Sequence, residues 1–412
     1  MSDLDKYRQN ADKTNTRNKV FDDLALIMQN PEPARKRWIW ELLQNALDAW
    51  HSPYAVAQDD PVGHDRGLSV SIEHTSAEGL VFKYDGQGFT LDNVAHLIQS
   101  GTTKIDDPGT TGQFGTGFIT THLLSPTIHV SGYINHPGEP NDGKSFKFLL
   151  ERKFNSSPHK LEELMNHAWR EFKSSLSEVK LGNTVPTMFR YSPIENEAND
   201  AVQIGIEELK RSAQFLVTFN KGFSKINFKS DDETVSFSVT KREELPRENG
   251  LPKITEITVS EETNVTPSKQ RHLLLAEDAE TSTSIVMPTQ LMGDVRECLG
   301  IKEAPRLFLQ FPLVGTDGFS FPAIINSGQF TTLPTRDGVL FNDEDVNCKN
   351  GRLLKLPVNY LLACSNMPHQ RVGAMRTHWP IFPAFLNETG LMMVCFEIIF
   401  ESISQKKSAT LL

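Results

Sequence analysis

The sequence predicts an α+β protein, because helical and strand-like patterns alternate along most of the chain. Up to about residue 195 helices alternate with strands, and a helix followed by a hairpin comes after a polar linker at residues 192–200. A chain of 412 residues is long enough for two or three domains with separate cores. We therefore expect a first α/β domain over residues 1–195, a second over 196–350, and a mostly helical segment over 351–412.

The first chemical pattern lies on a predicted helix, Arg37–Trp50. No glycine or proline interrupts it, and apolar residues cover most of its circumference, so burial is expected. Glu41, Asn45 and Asp48 stand at positions i, i+4 and i+7 and share one narrow stripe. Such side chains need partners if they face inward, and a magnesium nucleotide would supply them. A solvated stripe on an amphipathic helix is the other interpretation.

The second pattern is an acidic turn between a predicted strand, residues 79–84, and a predicted helix, residues 90–98. Asp85 is followed by Gly86 and Gly88, and glycines there would let the backbone and a ligand approach closely. An ordinary Asp-Gly turn is the alternative interpretation.

The third pattern is a glycine-rich turn with the spacing Gly-x-x-Gly-x-Gly, from Gly112 to Gly117, before a predicted helix at residues 118–124. Backbone N–H groups at a helix N-terminus suit a triphosphate. The spacing differs from the dinucleotide fingerprint and lacks the Lys-Ser/Thr ending of a P-loop. By itself such a turn indicates no more than a change of chain direction.

In order and spacing, the three patterns resemble the motifs of the GHKL (Bergerat-fold) ATPase superfamily, which includes the 90-kilodalton heat-shock chaperones, MutL, type II topoisomerases and histidine kinases. Residues 41–49, 100–104 and 111–118 are most similar to the chaperones and to sacsin-type ATP-binding modules. The resemblance covers residues 35–195 and continues more loosely to about 345. It implies a Bergerat-type α/β sandwich that binds ATP, then a transducer-type α/β domain.

The resemblance also implies roles for individual residues. Glu41 would position the attacking water, Asn45 would bind magnesium, and Asp85 would read the adenine amino group. An asparagine carbonyl is a hard oxygen ligand of the kind that magnesium accepts. Contacts to ATP are implied for Asn45, Asp48, Asp85, Gly86, Gly88, Thr103, Lys104, Gly112, Gln113, Phe114, Gly115, Thr116, Gly117, Phe118 and Thr187.

The second motif departs from the family pattern Asp-x-Gly-x-Gly. Here the acid abuts the first glycine, so aligning the glycines puts Tyr84 in the base-reading position and displaces Asp85 by one residue. We expect Asp85 to read the base, because no other acid lies nearby; Tyr84 in that position is the alternative.

Three further assignments come from the same resemblance. Residues 100–111 are similar to the family's lid, in which Lys104 either contacts the γ-phosphate or is an ordinary surface lysine. Thr187 fits the last motif better than Thr184, because a strand pattern begins directly after it. Arg336 resembles the arginine of the chaperones' middle-domain loop and would complete the active site; a surface arginine paired with Asp337 is equally compatible.

Composition argues against several classes of protein. A net charge of −10 argues against a broad nucleic-acid surface. The four cysteines have no metal-ligand spacing and are too few for a disulfide scaffold, which is typical of reduced cytoplasmic thiols. No signal peptide or membrane-spanning run is found. We expect a cytoplasmic protein.

The functional expectation is a magnesium-dependent, chaperone-like ATP-binding switch that hydrolyses ATP. Lid closure would be coupled to homodimerisation, and a protein partner or client is expected. The alternative is a nucleotide-gated scaffold or sensor with little turnover that controls a partner or effector, for example in a bacterial defence system. A histidine kinase is disfavoured because no phospho-histidine segment precedes the site. A MutL-like role on DNA is disfavoured, because the acidic sequence predicts no broad basic surface for DNA.

Overall fold

The computed structural model describes most of the first 340 residues and little beyond them. All structural statements below concern these residues only. They are 17–50, 67–99 except 87, 117–153 except 137, 139 and 140, 157–179, 185–191, 196–245, 252–333 except 279, 293, 294 and 320, 337–340, 349–354 except 352, and 374–377.

The chain divides into two compact units. Among the described residues, the first unit comprises those up to Leu209 together with Lys221–Ser236 and Thr263–Thr266. The second comprises Lys210–Asn220, Phe237–Glu262 and those from Pro267 onward. The predicted domain boundaries at residues 195 and 350 stay predictions.

The helices of the first unit carry apolar residues that are buried at helical spacing, and the prolines of α2 and α4 stand in their first turns. Thr90 and Asn93 cap one of them reciprocally: the Thr90 N–H donates to Asn93 Oδ1 at 2.9 Å, and the Asn93 N–H donates to Thr90 Oγ1 at 3.0 Å. The helices are α1 (17–29), α2 (Glu32–Trp50), α3 (Leu91–Gln99), the 3₁₀ helix Phe118–Leu123, α4 (Pro158–Ser175) and α5 (Asn196–Phe219), the last of which continues into the second unit.

A seven-stranded sheet runs through the first unit in the order β7-β1-β2-β6-β3-β4-β5. Strands β1 and β7 are parallel, and the other neighbours are antiparallel. The strands are β1 (Leu68–Thr75), β2 (Gly79–Asp85), β3 (Thr127–Tyr133), β4 (Lys144–Glu151), β5 (Ser177–Glu178), β6 (Thr187–Tyr191) and β7 (Phe223–Ser230).

Helices cover one face of this sheet. Phe118 of the 3₁₀ helix packs on Phe189 of β6 with ring centroids 5.3 Å apart, and Phe172 of α4 packs on Phe146 of β4 at the same separation. The cross-strand register puts Phe189 and Phe146 on the same face. The opposite face of β2 carries Lys83, paired with a glutamate of β1. The first unit is therefore a two-layer α/β sandwich, and the predicted α+β class is confirmed.

The second unit is built mainly of antiparallel strands around an aliphatic and aromatic core. The order β8-β9-β10-β11-β15-β13-β14 forms its sheet, with β12 paired to β11 and β16 paired to β12. Its core includes Leu274, Ile285, Phe321 and Ile325. The strands are β8 (Thr234–Glu244), β9 (Lys253–Thr263), β10 (Lys269–Asp278), β11 (Thr283–Met292), β12 (Val295–Cys298), β13 (Leu307–Leu309), β14 (Phe311–Pro312), β15 (Ile324–Ser327) and β16 (Ala374–Thr377).

The predicted limits of two secondary-structure segments were wrong. The charged sequence over residues 159–180 predicts an amphipathic helix of that length, whereas α4 ends at Ser175 and β5 begins at Ser177. Residues 196–200, read as part of a polar linker, belong to α5. Ala198 and Ala201 are buried there, so contacts with the rest of the fold outweigh the polar composition.

Most of the predicted C-terminal helical segment, residues 351–412, lies outside the described residues. Of those that are described, Gly351, Leu353 and Leu354 are helical, and Ala374–Thr377 form strand β16. Among the helices of the described residues, none combines the length and the apolar character needed to span a bilayer.

Candidate functional site

Helix α2 carries the first motif and is buried along most of its length. Trp38, Leu42 and Leu43 are almost completely inaccessible to solvent. The Trp38 indole donates from Nε1 to the carbonyl oxygen of Ala201 at 2.9 Å. The ring lies so close to Gly205 of α5 that a β-carbon on that residue would stand 2.2 Å from Nε1. This contact fixes α2 one turn before Glu41.

Glu41 is a buried carboxylate, 8% exposed, which accepts a charge-assisted hydrogen bond from Arg37 at 3.0 Å. Asn45 and Asp48 are half-buried on the following turns. Of the three polar side chains of the stripe, Glu41 is therefore buried, and Asn45 and Asp48 remain partly accessible to solvent.

The third motif meets the first at Gly117, the last glycine of the Gly-x-x-Gly-x-Gly turn. A β-carbon at Gly117 would lie 1.8 Å from Oε2 of Glu41 and 2.5 Å from its Cδ. Any side chain would collide with the carboxylate. Phe118 follows directly and begins the 3₁₀ helix that packs against α2.

The turn of the second motif docks on the end of β3. The Phe89 N–H donates to the carbonyl of Tyr133 at 2.8 Å, and a β-carbon at Gly88 would stand 2.5 Å from the same oxygen. The Tyr133 hydroxyl donates to the carbonyl of Gly86 at 3.2 Å. Gly88 thus permits the backbone of the turn to approach the strand.

Tyr84 and Asp85 point to opposite faces of β2. Tyr84 is buried and lies directly across from Thr187 in the β2–β6 register. Burial raises the pKa of the Tyr84 phenol to about 12, in spite of a hydrogen bond with Thr187. Asp85 is exposed and accepts from the Ser69 N–H at 2.7 Å. Partial burial raises the pKa of Asp85 against the lowering effect of that N–H.

The 3₁₀ helix that follows Gly117 carries a buried histidine, His122. Its charged neighbour is Arg152, a buried arginine directly after β4. Arg152 donates to the carbonyl of Leu97 at 2.7 Å, near the end of α3. Burial lowers the pKa of Arg152 to about 9. Burial, with the charge of Arg152 as a second cause, holds the pKa of His122 well below its ordinary value.

Several predicted site residues lie outside the described residues, so their roles stay predictions. They are Thr103, Lys104, Gly112, Gln113, Phe114, Gly115, Thr116 and Arg336, together with the rest of the lid segment and Thr184. The described predicted residues fall into two groups. The first comprises Glu41, Asn45 and Asp48 of α2 with Gly117 and Phe118, and the second comprises the second-motif turn with Thr187.

Sequence reasoning missed three contributors to these groups. Arg37 could have been found, because it stands four residues before Glu41 on the same helix. Tyr133 and Gly205 had no local signal, since their contacts join segments far apart in sequence.

The described residues contain no cluster of three or more histidine, cysteine, aspartate or glutamate side chains that could hold a metal ion by itself. Magnesium that is bound partly by nucleotide phosphates and water needs only one or two protein oxygens. The amide of Asn45 and the carboxylate of Asp48 offer hard oxygen ligands, so these residues fit magnesium in its nucleotide-bound form.

No protein-family model matches the sequence, and comparison with curated proteins gives no match. Among solved structures, the chain is similar to the B subunit of the DNA gyrase from Myxococcus xanthus, with a TM-score of 0.39 and 10% identity over 84% of this chain and 97% of that chain. It is also similar to the MutL ATPase domain of Aquifex aeolicus complexed with ADP, with a TM-score of 0.29 and 10% identity over 70% of this chain and 88% of that chain. Both are GHKL ATPases. With TM-scores this low, neither likeness carries an argument about this chain.

Proposed function

We propose that the chain is a magnesium-dependent ATP-binding switch of the GHKL type that hydrolyses ATP. The observation that carries the proposal is the contact between Glu41 of the first motif and Gly117 of the third. These residues are 76 positions apart by their numbering, and they belong to two separate sequence motifs of the predicted nucleotide site.

In this proposal Glu41 orients the attacking water. Its carboxylate accepts hydrogen bonds, and burial excludes competing solvent molecules from it. The glycine at position 117 leaves room for that carboxylate against the backbone of the third motif. Asn45 holds magnesium, which would neutralise phosphate charge when bound, and Asp48 supports the site from the next turn of the helix.

We further propose that residues 100–111 close over the nucleotide and that closure favours pairing of two protomers. A chaperone-like role with a protein partner or client is part of the same proposal. It is supported by the similarity of residues 41–49, 100–104 and 111–118 to the chaperone and sacsin-type motifs.

A second candidate function is a nucleotide-gated scaffold or sensor with little turnover. The ion pair between Arg37 and Glu41 favours it, because both side chains are largely buried, at 18% and 10% exposure. A carboxylate whose oxygen is already engaged by a guanidinium has less freedom to orient a water molecule than an unpaired one.

Steady-state ATP hydrolysis and calorimetric titration with a non-hydrolysable analogue separate these functions. Glu41→Gln should lower turnover by about 100-fold or more with little change in binding of the analogue, as expected for a water-orienting base. Asn45→Ala should weaken magnesium-dependent binding. Glu32→Gln is the matched control, because Glu32 lies on the same helix, 65% exposed and paired with Arg35.

Each outcome has a distinct meaning. Turnover that depends on Glu41 but not on Glu32 supports the ATPase. Binding of the analogue with equally low turnover in the parent protein and the Glu41 variant supports the sensor. A parent protein that binds no nucleotide overturns both functions.

A further inference from the structure

Tyr84, rather than the acid beside it, lies on the helix-bearing face of the sheet. Side chains alternate along a strand, and the buried residues Leu80, Phe82 and Tyr84 share one face of β2. Asp85 belongs to the other face, where its carboxylate already accepts from the backbone of Ser69. To reach the helix-bearing face, Asp85 would have to leave that hydrogen bond and the strand register.

The face that carries Tyr84 is the one on which the other motifs meet. Thr187 stands opposite Tyr84, and Phe189, two residues farther along β6, packs on Phe118. Phe118 adjoins Gly117, which contacts Glu41. The chain of contacts from Tyr84 to Glu41 therefore stays on the helix-bearing side of the sheet.

The hydroxyls of Tyr84 and Thr187 form a buried pair at this position. Both residues are almost fully buried, at 5% and 1% exposure. The Tyr84 phenol keeps its proton at neutral pH because burial raises its pKa to about 12. Each hydroxyl can donate one hydrogen bond and can also accept, whereas an ionised carboxylate can only accept.

Adenine and guanine differ in hydrogen-bond character at the corresponding ring position. Adenine presents an amino group, which donates, and guanine presents an oxo group, which accepts. A carboxylate favours the amino group and opposes the oxo group. A pair of hydroxyls can rotate to suit either.

We propose that the Tyr84–Thr187 hydroxyl pair receives the base edge in place of a carboxylate, so that the site accepts both adenine and guanine nucleoside triphosphates. This inference rests on the proposed function, since it concerns the same nucleotide site. It identifies Tyr84 and Thr187 as specificity-determining residues.

The test is calorimetric titration of the full chain with non-hydrolysable ATP and GTP analogues in the presence of magnesium. The two affinities should agree within about threefold, because either base finds a hydrogen-bond partner in the pair. Tyr84→Phe and Thr187→Val should each lower the affinity for both nucleotides by about 2–10-fold, which is the factor for the loss of one net hydrogen bond. Thermal unfolding of each variant checks that the fold is retained.

Two variants on the opposite face complete the design. Lys83→Met is the control, because Lys83 precedes Tyr84 but pairs with Glu73 at 2.8 Å on the opposite face of β2. Asp85→Asn tests the acid directly. A preference for ATP of more than about 30-fold that disappears in Asp85→Asn overturns the inference and leaves the proposed function standing.

The remaining outcomes are equally decisive. Unchanged binding of both nucleotides to folded Tyr84→Phe and Thr187→Val variants overturns the inference alone. Failure of the parent protein to bind either nucleotide overturns the proposed function, and the inference with it.

Discussion

A β-carbon on Gly117 would stand 1.8 Å from Oε2 of Glu41, so the two residues can keep their positions only while residue 117 is glycine. Atoms at such a separation overlap severely, and one of them has to move. The carboxylate is buried and bonded to Arg37, which limits where it can go. The glycine therefore helps to define the position of the carboxylate that is proposed to orient the attacking water.

Gly117→Ala should displace the Glu41 carboxylate and lower ATP turnover by about 10–100-fold, because small misplacements of a reacting group are costly. Thermal or urea unfolding should show a loss of about 1–3 kcal/mol for the overpacked site. Gly318→Ala is the control, since a β-carbon there meets nothing within 4 Å. Turnover equal to that of the parent protein would show that the position of Glu41 does not matter for hydrolysis.

Gly205→Ala should destabilise the protein although it adds a good helix former. On an exposed helix this change stabilises by up to about 1 kcal/mol. Here the new β-carbon would lie 2.2 Å from Nε1 of Trp38, so we expect a loss of about 1–3 kcal/mol in the free energy of unfolding. Urea denaturation measures it.

A double-mutant cycle with Trp38→Leu isolates that contact. The leucine removes the indole, so Gly205→Ala should cost much less in its presence than in the parent protein. Equal costs in the two backgrounds would mean that the collision with Trp38 is relieved elsewhere.

Thr90→Ala should lower the free energy of unfolding by about 0.5–2 kcal/mol, because it removes the side-chain acceptor for the Asn93 N–H at the start of α3. Thr90→Ser retains the hydroxyl and is the matched control. Denaturation curves of the three proteins check the prediction. Equal stability of the alanine and serine variants would show that the cap contributes nothing measurable.

The sequence predicted helix α2 and its polar stripe because one uninterrupted pattern contains them both. Its prediction that Thr187 enters a strand was also confirmed, since β6 begins at that residue. These are local properties, and neighbouring side chains suffice to indicate them.

What the sequence could not predict depends on contacts between distant segments. The start of α5 was read as a linker because its residues are polar, and only the burial of Ala198 and Ala201 explains the helix there. The face on which Asp85 lies follows from the register of β1 and β2, which hydrogen bonds across the hairpin determine. A motif records spacing along the chain, and spacing alone does not say where the side chain points.

The free energy of unfolding should decrease as the pH is lowered below about 6.5, because of His122. Its pKa is held well below the ordinary value, chiefly by burial and also by the charge of Arg152, so the folded protein keeps it neutral while the unfolded chain protonates it. The unfolded state then binds more protons, and the free energy of unfolding decreases as pH falls, by at most about 1.4 kcal/mol per pH unit.

Urea denaturation at a series of pH values from about 7 to 5 measures the slope of the free energy of unfolding against pH. His122→Gln should flatten it by about one proton, whereas His159→Gln, an exposed histidine on α4 at 81% side-chain exposure, should leave it as in the parent protein. Groups common to all three proteins cancel in the comparison. An identical slope for the His122 variant and the parent protein would mean that His122 takes up its proton equally readily in the folded and unfolded states.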